Sequence, residues 1–280
     1  MTQNLCFGTL AVGQRYRTHA KILAQDIQKY APTIPFVVLT DQPEDFSNDP
    51  NVIVFKHQLQ SVKGFHDKRF VFEKAFEQFE SCLFLDSDMR ILEPVPEHLE
   101  WLPGLTARHG CSILRHNAEK KIRKALPVIK KAAQVLAINL DNTIWFHEFM
   151  FVVKKQDGVE QTFLNYWKTI AYFFEIHGIY DGSGNVMGLA AAKAGLTTQF
   201  DREDKFLFFK DNVEKERMKL GQSKLKENQH YFELHRQVEF PDRSLLKKAV
   251  MKVRKKVVFF YRLQRLRAIA RRDADLARLL

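Results

Sequence analysis

Ser81-Cys82-Leu83-Phe84-Leu85-Asp86-Ser87-Asp88-Met89-Arg90 is the stretch whose reading decides the fold. An uncharged run, Cys82 to Leu85, ends in two carboxylates one residue apart. A short apolar run without alternation is what a strand buried on both faces of a parallel sheet requires. Ligands of such sheets bind beyond the carboxyl ends of the strands. An extended chain points residues i and i+2 to the same side, so Asp86 and Asp88 are expected to face one hard cation. Oxygen donors suit Mg²⁺ or Mn²⁺, and Mg²⁺ commonly takes one or two carboxylates together with substrate phosphates. A bare Asp-x-Asp is also an ordinary solvated turn. The apolar run in front of it, and the segments around it, separate the two readings.

Upstream, Leu5 to Leu10 reads as a first strand, followed by a helix from Tyr16 to Tyr30 with Ala20, Leu23, Ala24 and Ile27 at helical spacing. Phe36 to Thr40 is a second strand, ending at Asp41. Gln42 to Pro50 is turn-rich, Asn51 to Phe55 is a third strand, and Arg69 to Phe79 is a helix. This alternation is the signature of a parallel α/β sheet. Downstream, Pro94 to Gly104 is loop-like, Leu126 to Leu140 an amphipathic helix, Ile144 to Val153 a strand, and Phe163 to Ile176 a helix. Asp181-Gly182-Ser183-Gly184-Asn185 is a glycine-rich turn into a helix from Val186 to Ala194, stopped by Gly195. Phe206 to Phe209 and Tyr231 to Leu234 read as short strands.

With 280 residues, 45% of them hydrophobic, the chain can bury a sizeable core. No apolar run approaches the 18 residues or so of a membrane span, and Met1-Thr2-Gln3-Asn4 has no basic-then-apolar signal pattern. Cys6, Cys82 and Cys111 are scattered and odd in number; the first two read as small core residues. A reducing, cytoplasmic setting is expected. The charge is asymmetric. Residues 243–280 carry 13 Lys/Arg and 2 Asp/Glu, which leaves 31 of each sign in residues 1–242. The two parts are read as a catalytic domain, 1–242, and a basic amphipathic helical tail, 243–280.

The order and spacing of segments from Leu5 to Gln237 resemble a nucleotide-sugar glycosyltransferase of the GT-A fold, most of all the glycogenin-like and blood-group-transferase-like families. Cys6-Phe7-Gly8-Thr9-Leu10, with Tyr16 beyond it, is similar to the strand and loop that hold the uracil and ribose. The resemblance therefore implies donor contacts from Thr9, Leu10 and Tyr16, and from Asp41 at the end of the second strand. Arg69 stands 17 residues before Asp86, where these families carry a basic residue near the nucleotide or sugar. Lys68 and Lys74 compete for that role. Asp86-Ser87-Asp88 matches the family Asp-x-Asp, in which the second Asp binds the metal and the first contacts metal, ribose or sugar. Trp145-Phe146-His147-Glu148-Phe149 looks like the strand lining the sugar and acceptor pocket. Neighbours on a strand face opposite sides, so one of His147 and Glu148 is expected to line it. Tyr180-Asp181-Gly182 looks like the acidic turn beside the reacting centre. His235, at the end of the strand Tyr231 to Leu234, resembles the late histidine that completes the metal shell; His230 is the alternative.

The resemblance has departures. Gly182 stands where the blood-group-like families have a second carboxylate, and Arg236-Gln237-Val238 stands where the glycogenin-like families have Gly and Lys-Pro-Trp. Retention or inversion at the sugar carbon is therefore left open. The chemistry itself asks for these residue types. A departing diphosphate needs a cation where its charge develops, and the attacking hydroxyl needs a base, for which Glu148 and Asp181 are the candidates.

In the tail, Leu246, Val250, Val253, Val257 and Phe260 recur at helical spacing among Lys247, Lys248, Lys252, Arg254, Lys255 and Lys256. A basic helix on an anionic membrane surface, peripheral on the cytoplasmic face, is the favoured reading; a nucleic-acid or protein contact and a solvated helix packed on its own domain are the alternatives. No nucleic-acid partner is expected. The whole is read as a metal-dependent transferase, with Mn²⁺ or Mg²⁺, expected to act on a nucleotide-sugar donor, UDP-linked, and a glycan or lipid-linked acceptor. Two other classes compete. One is a non-catalytic membrane- or nucleic-acid-binding protein driven by the tail. The other is a haloacid-dehalogenase-like phosphatase, which expects a Thr where Arg90 stands.

Overall fold

The computed structural model describes residues 4–118, 123–242, 244–273 and 276–277. The Met1–Gln3 segment, Arg243, and the side chains of Leu246, Lys247 and Lys248, all read above, lie outside the described residues.

The chain opens β1 (Leu5–Ala11), α1 (Gln14–Tyr30), β2 (Phe36–Thr40), β3 (Val52–Lys56), α2 (Arg69–Ala75) and β4 (Ser81–Leu85). It continues with β5 (Arg90–Ile91), β6 (Gly104–Ala107), β7 (Gly110–Ser112), α3 (Ile113–Asn117), α4 (Leu126–Leu136), β8 (Ile144–Phe146) and β9 (Met150–Lys154). Then come α5 (Val159–Ile176), α6 (Gly184–Ala194), β10 (Thr198–Phe200), β11 (Phe208–Phe209), α7 (Asp211–Lys219), α8 (Leu225–Glu239) and α9 (Leu245–Ala270).

Seven strands form the central sheet in the order β10-β6-β9-β4-β1-β2-β3. β1 lies parallel to β2 and β4, β2 parallel to β3, and β6 parallel to β10; β9 runs antiparallel between β4 and β6. β1 and β4 sit at the centre and are buried on both faces, which is why their sequences are continuous apolar runs. Register sets Cys6 beside Cys82 and Phe7 beside Leu83. Gly8 belongs to this register for a steric reason: a Cβ there would lie 2.6 Å from Val71 Cγ1 and 2.8 Å from Cys82 Sγ. On one face Phe72, Phe84, Phe151 and Trp167 form a ring cluster with centroid separations of 5.2 to 6.3 Å. On the other, α1 packs Ala20, Leu23, Ala24 and Ile27 against Phe7, Phe36 and Val38. Each buried aromatic of this kind contributes about 1.5–3 kcal/mol.

Several elements differ from expectation, among them the helix expected from Leu126 to Leu140, which ends at Leu136. Ile144 to Val153 is two strands: β8 pairs with β7 in a separate two-stranded sheet, and β9 belongs to the central one. The chain between them, 147–149, is a turn. Tyr231 to Leu234 is not a strand but the middle of α8. A short, mostly apolar stretch does not by itself distinguish strand from helix, and Glu233 within it, with Lys226-Glu227 and Gln229 before it, favours the helix. The helix expected from Arg69 to Phe79 ends at Ala75.

α6 docks onto β8 without intervening side chains. A Cβ at Gly184 would fall 2.0 Å from Phe146 O, and one at Gly188 would fall 1.9 Å from Ile144 O. Two glycines four residues apart on one helix face thus bring the N-terminus of α6 against the turn that follows β8. α9 is joined to the body by its second half: Leu263, Leu266 and Ala270 are buried in the core cluster beside α5. No helix among the described residues is long and apolar enough to cross a membrane.

Candidate active site

A cleft of about 510 Å³ opens at the carboxyl ends of β1 and β4. This is the end of an open α/β sheet at which ligands bind. Leu10 and Tyr16 from the start of the chain line it, as do Asp86 and Asp88, His147 and Glu148, and His235 from α8.

Asp86 and Asp88 lie in a turn just after β4, not within an extended strand. Asp86 N–H donates to Phe149 O at 2.8 Å, and Met89 N–H closes the turn on Asp86 O at 3.0 Å. The turn keeps both carboxylates facing the cleft, with Ser87 and Met89 buried between and behind them. Every carboxylate oxygen of the pair has a partner. Lys68 Nζ donates to Asp86 Oδ1 at 2.7 Å, and Lys210 Nζ donates to Asp86 Oδ2 at 3.1 Å and also to Asp88 Oδ1. His235 Nε2 lies 3.4 Å from Asp88 Oδ2. Both lysines are buried. Burial by itself raises the Asp88 carboxyl, but His235 and Lys210 outweigh it and hold the group well below the ordinary carboxylate range. Burial likewise lowers Lys210, and the two aspartates outweigh it, so the ammonium is held above its ordinary value.

These contacts bear on the expected Mn²⁺ or Mg²⁺. An ion between Asp86 and Asp88 would lie about 2.1 Å from a carboxylate oxygen, in the space that the Lys210 ammonium fills. The donor geometry disagrees as well. Asp86, Asp88 and His235 do not converge within 4.8 Å of one another; among the described residues the group that does is His19, His235 and Glu239, beside the pair. The site as it stands does not fit a divalent cation bridging Asp86 and Asp88. The Glu239 carboxylate of the neighbouring group is already paired with Arg15 at 2.9 Å and with His19 at 3.2 Å.

Glu148 is fixed by α6. Its two carboxylate oxygens accept Ser183 N–H and Gly184 N–H, each at 3.1 Å. Amides at a helix N-terminus favour a carboxylate, and Lys68 adds to them. Burial works the other way and dominates, so the Glu148 carboxyl is raised above its ordinary value. That is the direction a general base needs. His147 lines the same cleft, because both residues lie in the turn after β8 where strand alternation does not apply. Burial pushes His147 down to about 4 against the pull of Asp86, so it is neutral at pH 7. Its Nδ1 is buried without a partner.

Other expected residues are placed elsewhere. Thr9 is fully buried, and its hydroxyl donates to Leu85 O at 2.7 Å, so it ties β1 to β4 and does not reach the cleft. Asp41 accepts Gly13 N–H at 2.9 Å and Arg17 at 2.7 Å, and so holds the loop between β1 and α1. Arg69 turns away: it pairs with Glu73 at 2.5 Å and lies over the Phe70 ring. Lys68, its neighbour, is the cation that faces the cleft. Asp181 has a side chain 71% exposed and pairs with Lys63 at 2.9 Å at the cleft mouth. Of the two histidines on α8, His235 approaches Asp88 while His230 is exposed and packs on Tyr231.

Lys210 was missed by sequence reasoning. Its signal was there: it follows the short apolar strand Phe208–Phe209, so it stands at a strand end as Asp86 does. β11 pairs antiparallel with β5, Phe209 opposite Arg90, and that ladder carries Lys210 back over the Asp pair.

The loop from His57 to Lys68, which bears Lys63, Phe65 and Lys68, rests on two buried acidic side chains. Asp67 accepts Gln60 N–H at 2.6 Å, Ser61 N–H at 2.8 Å and His57 Nε2 at 2.8 Å. Glu175 of α5 accepts Val62 N–H at 3.0 Å. From α9, Arg262 donates to Val62 O at 3.2 Å and Arg265 donates to Leu59 O at 2.7 Å. The basic tail therefore braces one wall of the cleft.

What fold and site define is an α/β protein with a mostly parallel seven-stranded sheet flanked by helices, compatible with a Rossmann-like fold. No protein-family model matches this chain, and no curated protein matches it.

Proposed function

We propose that the protein is a GT-A-type glycosyltransferase that moves a sugar from a nucleoside diphosphate donor, UDP-linked, to an acceptor hydroxyl. The observation that carries this is the convergence of two carboxylates and two buried lysines at the carboxyl end of β4, in a cleft large enough for a nucleotide sugar. Leu10 and Tyr16 line the part of the cleft formed by the start of the chain and suit a base and ribose. Breaking the bond between the sugar carbon and the phosphate oxygen leaves negative charge on the diphosphate, and fixed cations stabilise that charge where it develops. The acceptor hydroxyl loses its proton as it attacks, and Glu148, raised by burial and held by α6, takes it. Asp181 at the mouth suits contact with the acceptor better than proton transfer, because it is exposed and paired with Lys63.

The acceptor is proposed to be a glycan or a lipid-linked sugar at an anionic membrane surface. Val250, Val253, Val257, Phe260 and Tyr261 are all more than half exposed. At 100° per residue they fall within about 100° of arc, opposite the side on which Leu263, Leu266 and Ala270 enter the core. Lys252, Arg254, Lys255 and Lys256 are exposed around them. Such a stripe matches an interfacial helix.

The test is a hydrolysis and transfer screen over UDP- and GDP-sugars, with UDP binding followed by calorimetry. Turnover of a nucleoside diphosphate sugar that Glu148→Gln suppresses is the expected result. Absence of both binding and turnover across that panel would refute the reading.

A further inference from the structure

We infer that Lys210 takes the place of a divalent cation at this centre, so that the donor's diphosphate is received by the ammonium groups of Lys210 and Lys68 without a metal. The inference rests on the donor reading above and deepens it. Its basis is geometric. An ammonium has three N–H donors. Lys210 spends two on Asp86 and Asp88, and Lys68 spends two on Asp86 Oδ1 and, at 2.8 Å, on Glu148 O. Each therefore keeps one further N–H, and both residues line the cleft. Because both ammoniums are anchored to the two oxygens of one carboxylate, Asp86, they flank it and can each serve one phosphate group.

The charge balance agrees. Two aspartates with two lysines make a neutral centre, as two aspartates with one divalent ion would. Adding a divalent ion while both lysines stay would crowd three cationic groups around two carboxylates at low dielectric, a costly arrangement. In this view the Asp pair is not a metal clamp. It orients and desolvates two lysines, and Lys, a compact point charge with rotatable donors, is suited to phosphate oxygens. His235 then belongs to the same device, since it holds Asp88 from the side away from Lys210. Lys210 is drawn to its place by β11, which ends one residue before it.

The experiment is calorimetry of UDP and GDP binding to the full chain, first in EDTA and then with Mn²⁺ in place of EDTA. The expected result is binding in EDTA that Mn²⁺ changes by less than about three-fold, and a loss of about ten-fold or more in EDTA for Lys210→Met, the size of one charge-assisted contact. Lys210→Arg keeps the cation and is expected to retain part of the affinity. Should Lys210→Met fail to fold, the comparison of EDTA with Mn²⁺ on the unaltered protein decides the matter alone. Binding that requires Mn²⁺ overturns the inference and leaves the donor reading standing. Equal binding by Lys210→Met and the unaltered protein in EDTA overturns it too. No binding of either nucleotide under any condition removes the donor reading itself, and the inference with it.

Discussion

Glu175→Gln tests how the cleft wall is held. Glu175 is fully buried on α5, and its carboxyl faces the backbone of the loop carrying Lys63, Phe65 and Lys68. Burial raises it from an ordinary 4.5 to about 8; the Val62 N–H and Arg262 oppose the shift and Asp67 adds to it. The native state therefore holds a proton there at pH 7 that the unfolded chain releases. A carboxyl raised in this way stabilises the fold fully below pH 4.5, and that stability is lost as pH rises toward 8. At about 1.4 kcal/mol per unit, the loss between pH 5.5 and 8 amounts to roughly 3 kcal/mol.

His66 and His147, pushed down to about 4 by burial, act with the opposite sign between pH 4 and 6.5. Absolute stability against pH is therefore a poor readout, and the difference between the unaltered protein and the variant is the right one, since the histidines are common to both. Urea denaturation at half-unit steps from pH 5.5 to 8.5 measures it. The difference is expected to move in favour of Glu175→Gln by roughly 3 kcal/mol across that range. Parallel curves would show that Glu175 is ionised in the native state, and would refute the account of a buried, protonated side chain beneath the loop.

Three further outcomes follow from the packing. Gly188→Ala puts a Cβ 1.9 Å from Ile144 O, so it is expected to cost about 1–3 kcal/mol of stability, read as a lowered Tm; under the proposed transferase reading, turnover should fall as well, because the amides that hold Glu148 are displaced. Leu266→Ala removes a fully buried side chain of α9 from the core; a loss of about 2–5 kcal/mol is expected, and a near-neutral change in urea denaturation would show that α9 does not share the body's core. If the proposed membrane contact holds, the unaltered protein sediments with phosphatidylserine vesicles, less so as salt rises, and Val257→Asp with Phe260→Asp abolishes it while leaving the Tm within about 4 °C, because both side chains are exposed.

The fold was legible where burial on both faces erased alternation. β1, β2 and β4 read directly, because a strand with neighbours on both sides and helices on both faces must be apolar throughout; β3, at the sheet edge and half-buried, read from its β-branched run Val52 to Val54. The end of α5 and the stop of α6 at Gly195 read equally well. What did not read were the shortest strands. β6, β7 and β10 have three or four residues each, too few to show a period. α8 has no buried residue, so nothing in its sequence recorded a core-facing side, and its one apolar cluster passed for a strand. β8 and β9 merged because an aromatic run does not reveal that three of its residues turn between two sheets.

The site divides along the same physical line. Asp86, Asp88, Tyr16 and Leu10 were singled out because strand ends are marked in sequence by a change from apolar to polar, and His235 because of the segment order; all five line the cleft. Arg69 was a miss by one residue. The side chains of Lys68 and Arg69 diverge at the junction of a 3₁₀ turn with α2, and no pattern of charge says which of two adjacent cations faces in. Lys210 lies 122 residues beyond Asp88, and its meeting with the pair depends on a two-residue ladder between β5 and β11. A lysine is read as solvated unless something shows it buried, and here the burial is supplied by the carboxylates it neutralises. The same two aspartates that suggest a metal in the sequence thus serve, in the folded chain, as the counter-charges that let a lysine be buried among them. An acidic pair at a strand end marks a polar centre at the sheet's edge, but which cationic side chain meets it is decided by what the topology returns to it, here Lys210 by the ladder between β5 and β11.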